Sequence, residues 1–223
     1  MKITQEQINQ TERMQDLMNY PRISTSVSKL GIAIPTINLP AGITCRPDAP
    51  CQKGCYAKKG NFCYKKVKNG IEMNLKAYLD NPKRYFEKIE YTLKMIPYQC
   101  FRYHSSGDVV DTMYLELMCK TARKCKTTKF LCFTKKYELV NEYVESGKRI
   151  PSNLIIVFSC WGSYIPENPY NFPTSHVRFK NGKDNEYIPE NAVECTGFCG
   201  ECCNTDSSCW KMKKGSSVVF NQH

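Results

Sequence analysis

The chain has 223 residues, enough to bury one substantial core and too few for several independent modules. Apolar residues make up 41% of it, mean hydropathy is −0.50, and no apolar run approaches the roughly 18–20 residues of a bilayer-spanning helix, which excludes an integral helical membrane protein. The formal charge of +11 asks for an acidic partner, and 14 cysteines point to metal or cluster ligation more than to disulfides in a chain whose polar first residues do not read as a secretory signal. The expected compartment is therefore a reducing cytoplasm.

In chain order, residues 1–20 read as an amphipathic helix ended by Tyr20-Pro21, with residues 1–30 together forming an N-terminal helix and extension. The stretch 30–44, LGIAIPTINLPAGIT, alternates apolar and turn-forming residues and predicts short strands broken by Pro35 and Pro40. A first cysteine group follows at Cys45, Cys51, Cys55 and Cys63. Beyond it, Val67, Ile71, Leu75 and Leu79 have helical spacing, Asp80-Asn81-Pro82 stops that helix, and a second runs to Met95.

Strand and helix then alternate: strand 100–104, helix 112–123, strand 130–134, helix 137–146, strand 154–160. Short apolar strands of this kind belong to a parallel sheet covered on both faces, wound doubly or into a closed or partial barrel, so the fold class is α/β with a β/α core over 31–163. In such folds the chemistry sits at the carboxyl ends of strands. Those ends carry His104-Ser105-Ser106-Gly107-Asp108, Thr134-Lys135-Lys136 and Ser159-Cys160-Trp161. Residues 164–223 form a C-terminal segment with a strand candidate at 176–180, a second cysteine group at Cys195, Cys199, Cys202, Cys203 and Cys209, and a final SSVVF.

Nine of the 14 cysteines lie in these two turn-rich loops. Cys195-x3-Cys199-x2-Cys202 suits an iron–sulfur cluster, with Cys209 as a fourth thiolate and Cys203 as a substitute for Cys202. The candidate metal ligands are thus Cys45, Cys51, Cys55 and Cys63 in one loop and Cys195, Cys199, Cys202 and Cys209 in the other. Irregular spacings favour a cubane's wider sulfur separation, and two [4Fe-4S] clusters are expected. Zinc is the alternative, since four thiolates also suit a tetrahedral ion. Two such clusters, at about −2 each, would leave the chain at about +7. Cys100, Cys119, Cys125 and Cys132 read as core residues. The run 120–136, KTARKCKTTKFLCFTKK, carries seven Lys/Arg and no acid and reads first as a solvated helix end and loop, second as a nucleic-acid patch.

CRPDAPCQKGCYAKKG, a following helix, FRYHSSGD, CFTKK and the C-terminal C-x3-C-x2-C with a final Cys-Trp resemble the phage protein family named for gene product eighty-eight, over roughly residues 40–210. That family in turn resembles radical S-adenosylmethionine (SAM) proteins, which implies a partial (β/α) barrel with cysteine-rich loops. By this resemblance Cys45, Cys51 and Cys55 hold a four-iron cluster, Ser106, Gly107 and Asp108 form the turn that binds the SAM amino group, and the C-terminal cysteines hold an auxiliary cluster. His104, Asp108 and Lys135 are the catalytic candidates: His104 to move a proton near neutral pH, Asp108 to accept from a ligand ammonium, and Lys135 to hold a carboxylate. Cys63 either closes the first site or leaves one iron open. Two functional readings stand: a SAM-dependent radical or redox enzyme using a small molecule or electron donor, and a non-catalytic iron–sulfur or zinc protein binding nucleic acid or a host protein through its basic face. The location implied is the host cytoplasm.

Overall fold

The computed structural model describes residues 19–25, 34–203 and 209–222. Among them, eight strands form one sheet: β1 (Ile23–Ser24), β2 (Thr36–Ile37), β3 (Cys100–Tyr103), β4 (Lys129–Thr134), β5 (Leu154–Ser159), β6 (Thr174–Arg178), β7 (Val193–Glu194) and β8 (Ser217–Asn221). The helices are α1 (Lys65–Asp80), α2 (Pro82–Met95), α3 (Thr112–Lys124), α4 (Tyr137–Glu145) and the single turn α5 (Cys199–Cys202). Strand order across the sheet is β1-β2-β3-β4-β5-β6-β8-β7. Every pairing is parallel except β1 with β2. The sheet is open, so the architecture is mixed α/β with a mostly parallel sheet. No helix among the described residues is long and apolar enough to cross a membrane.

Strand order follows chain order from β1 to β6, so successive connections step the same way, and right-handed crossovers of that kind put their helices on one face. Side-chain alternation divides the strands accordingly. Phe101, Tyr103, Phe130, Cys132, Leu154, Ile156 and Phe158 pack with Tyr78, Tyr85, Tyr114 and Met118 of the helices. Cys100, Leu131 and Val157 face the other way, into a smaller core with Ile34, Cys203 and Trp210. At about 1.5–3 kcal/mol for each fully buried large apolar side chain, the helix-side face supplies most of the fold's cohesion. The second face is covered by the C-terminal cysteine loop, with Cys199, Cys202, Cys209 and Met212 packed against it.

Several expectations change. The four-residue apolar series proposed for α1 is off by part of a turn: Leu79 is 63% exposed and Val67 39%, whereas Ile71, Asn74, Ala77 and Tyr78 are buried. Asn74 is inward because it is needed there, accepting from Arg22 N at 2.8 Å and donating to Asn38 O at 3.0 Å. Within residues 164–223, β6 and β8 pair over five residues and continue the sheet. Of the expected N-terminal helix, residues 1–18 lie outside the described residues.

Candidate metal centres

β2 delivers the chain to the carboxyl edge of the sheet, where the first cysteine group begins. Gly42, at φ +82°, turns its N–H toward Cys45 Sγ at 3.4 Å. Cys45 is half-buried, and burial is the largest reason its thiol sits above the ordinary value; the negative charges of Asp108, Cys55 and Cys51 push the same way, against the Gly42 bond. Three short 3-10 turns follow, Pro50–Gly54 with Cys51, Tyr56–Lys58 and Gly60–Cys63 with Cys63, and Cys55 links the first to the second. Tyr56 anchors them by donating to Ser105 O at 2.5 Å. Arg46 adds an outer clamp, bonded to Asp48 and Glu138 and lying over Tyr137 and Tyr164. Cys63 is exposed, and its thiol donates to Lys58 O at 3.2 Å.

The strand-end turn after β3 is locked to this loop. Asn38 Oδ1 accepts from Ser105 N at 2.8 Å and Ser106 N at 3.1 Å, while Ser106 Oγ donates to Leu39 O at 2.9 Å. Gly107, at φ +81°, passes so close that a Cβ would lie 2.6 Å from both Leu39 O and Thr44 Oγ1. Asp108 N donates to Thr44 Oγ1 at 3.0 Å. The buried Asp108 carboxylate accepts from Val109 N at 2.7 Å, Thr134 Oγ1 at 2.6 Å and Lys135 N at 2.9 Å. Burial raises its pKa and these three donors, with the Lys135 charge, oppose the rise. Ser106, Gly107 and Asp108 thus join β2, β3 and β4 at their ends. Lys135 Nζ donates to Ser159 Oγ at 2.8 Å and lies 5.9 Å from the centre of the Trp161 ring.

His104 follows β3 directly. It is buried, its Nε2 pairs with Tyr114 Oη at 2.9 Å, and burial, aided by the Arg102 charge, lowers its pKa to about 3. Burial thus favours the neutral imidazole.

The second group gathers on the sheet face opposite the main helices. Cys195 is set by its N–H to Val219 O at 2.9 Å, α5 carries Cys199 and Cys202, and Cys209 opens the 3-10 turn Cys209–Lys211. Burial pushes the Cys209 thiol up to about 12, reinforced by the charges of Cys195, Cys199 and Cys202 and opposed by Arg102. Thr196 Oγ1 lies 3.3 Å from Cys202 Sγ. Cys203 turns away from this group and is disulfide-bonded to Cys100 of β3, so it does not substitute for Cys202 and Cys100 is more than core filler. Cys119, Cys125 and Cys132 are buried.

Among the described residues, no set of three or more His, Cys, Asp or Glu side chains stands close enough to share one metal ion. A cubane asks something different of its surroundings: thiolates spread around a larger core, and N–H donors for its sulfurs. Two N–H groups belong to the second group's part of the fold. Trp210, next to Cys209, is 1% exposed and its Nε1 has no acceptor. Arg102 Nη1 lies 3.9 Å from Cys199 Sγ. Sequence reasoning missed Arg102, Tyr56, Asn38 and Trp210. The first was detectable as the one charge in an apolar strand, whereas the others act through contacts distant in sequence.

Residues 3–214 match the family described as gene product 88. No curated protein and no solved structure matches the chain significantly.

Proposed function

We propose that this chain, which belongs to the gene product 88 family, is an iron–sulfur protein with two [4Fe-4S] centres, one held by Cys45, Cys51 and Cys55 and the other by Cys195, Cys199, Cys202 and Cys209. The observation that carries the reading is the orphaned Trp210 N–H, buried in the same packed core as Cys199, Cys202 and Cys209. A buried donor without an acceptor is costly, by about 1–3 kcal/mol, unless something nearby accepts. The sulfurs of a metal-bound thiolate group, and those of a cluster, are such acceptors.

Bound clusters supply one-electron chemistry. The chain's own residues give the two centres different characters. In the first loop, Cys63 is committed to Lys58 O, so three thiolates leave one coordination position for an outside ligand. That open position supports the SAM-dependent, radical-SAM-like form of the reading. Lys135, cationic at the carboxyl edge of β4, is the group suited to a ligand carboxylate there. Asp108 spends its oxygens on three internal donors and acts as the pin that fixes the loop. In the second loop four thiolates close the centre, which suits electron transfer to or from the first.

Iron and sulfide counts on anaerobically prepared variants test this. Cys51→Ala or Cys55→Ala should remove about half of the iron, Cys199→Ala or Cys202→Ala the other half, and Cys63→Ser none. Titration with SAM should change the electron paramagnetic resonance (EPR) spectrum of the centre lost in Cys51→Ala. Loss of the first centre in Cys63→Ser, with no response to SAM in wild type, would replace the enzyme with a fully ligated structural or electron-transfer centre.

A second reading rests on a different surface. Arg123, Lys126 and Arg149 border a groove of about 500 Å³ at the amino ends of β4 and β5, the sheet edge opposite the first cysteine loop. None of the three pairs with a carboxylate among the described residues, whereas Lys120, Lys124 and Lys148 all do. An acidic partner such as nucleic acid would bind there. Affinity for a DNA or RNA oligonucleotide should fall steeply with salt, and Lys126→Ala should reduce the slope by about one. Binding that ignores salt would refute it.

A further inference from the structure

β3 has the sequence Cys-Phe-Arg-Tyr, and alternation puts its one charge, Arg102, on the face shared with Cys100, away from the main helices. The guanidinium there is partly buried. Its Nε reaches His104 O at 3.4 Å, its Nη1 lies 3.9 Å from Cys199 Sγ, and its Cζ stands 4.7 Å from the centre of the Phe133 ring. No carboxylate pairs with it among the described residues. Arg102 thus lies against the C-terminal cysteine group at Cys199.

A partly buried cation is favoured by a nearby anion, and the sulfur within its reach here is Cys199 Sγ, at 3.9 Å. We propose that Arg102 is the counter-cation of the C-terminal thiolate group and sets the redox poise of the centre held there. The inference rests on the iron–sulfur reading and adds a role for a residue that ligates nothing. On one-electron reduction by an external reductant such as dithionite, a four-thiolate centre goes from about −2 to −3, and a fixed positive charge with an N–H···S bond stabilises the more negative state more. The potential should therefore be higher with Arg102 than without it. Because β3 is paired with β2 on one side and β4 on the other, the backbone that carries the guanidinium is held in the sheet.

The test is an EPR-monitored redox titration of the full chain, prepared without oxygen, following the centre whose signal disappears in Cys199→Ala. Arg102→Leu and Arg102→Gln should each weaken reduction about tenfold, a shift of about 59 mV to more negative potential for a one-electron couple. Arg102→Lys, which keeps the charge and loses the planar fork, should shift less than either. Loss of that centre's iron in both uncharged variants with retention in Arg102→Lys would also support a counter-cation. An unmoved potential in an uncharged variant that retains its iron would overturn the inference alone. So would loss of the centre or of the fold in Arg102→Lys, which would make Arg102 a packing residue on Phe133. If the wild-type chain and Cys199→Ala have the same iron content, the reading beneath the inference fails, and the inference with it.

Discussion

A buried imidazole such as His104 owes its properties to the volume around it. The unfolded chain takes up a proton at this residue near pH 6.5 and the folded chain only near 3, so between those values the unfolded state binds more protons. His104 therefore contributes its full share of stability above about pH 6.5 and loses it as pH falls toward 3. His104→Gln should flatten that segment of the stability curve relative to wild type, measured as urea midpoints from pH 7 to pH 4; parallel curves would contradict the assignment. Cys202 and Cys203, adjacent in sequence, should behave oppositely. Cys202→Ala should lose iron, whereas Cys203→Ser should keep it and, in oxidised protein, lose about 2–5 kcal/mol of stability with the cross-link to Cys100. The clustering of cysteines was visible in the sequence. Which of two neighbouring sulfurs faces the group and which faces β3 was not, since that depends on one turn of α5 docking against a strand 103 residues away.

The elements that read correctly were those with a strong local pattern. The apolar runs at β3, β4 and β5 and the capped helices α2 and α3 sit within a residue or two of expectation, because Asn81 caps Arg84 N at 3.0 Å and Asp111 caps Tyr114 N at 2.7 Å as such residues do. β1 and β7, two residues each, have no period to detect and exist only through their neighbours. The inward face of α1 was misplaced because a buried asparagine looks like a surface residue until its three backbone partners are known. The turn after β3 permits a sharp comparison at this scale. Gly107 and Gly147 both have φ +81°, but a Cβ at Gly147 meets nothing within 4 Å. Gly147→Ala should cost about 1–2 kcal/mol from backbone strain alone. Gly107→Ala should cost more, by chemical denaturation, and should disturb the first cysteine loop through Leu39 and Thr44. Equal losses at the two positions would show that the turn does not bear on the loop.

At the scale of the molecule, the sheet brings together what the chain separates. The first cysteine group follows β2 and the second follows β7, yet β3 touches both through the Ser105–Tyr56 bond on one side and the Cys100–Cys203 bond on the other. Sequence order from β1 to β6 made the carboxyl edge foreseeable as the site of the strand-end groups. The placement of the C-terminal loop over the second face was not foreseeable, because it depends on β8 inserting between β6 and β7, a non-local pairing without a sequence signal. The most direct measurement of the central claim is the iron, zinc and acid-labile sulfide content of the full chain after iron-replete, anaerobic expression, read with its Mössbauer spectrum. The account predicts a brown protein with about eight iron and eight sulfide per chain and four-iron cluster parameters; a colourless protein with stoichiometric zinc and no sulfide would contradict it.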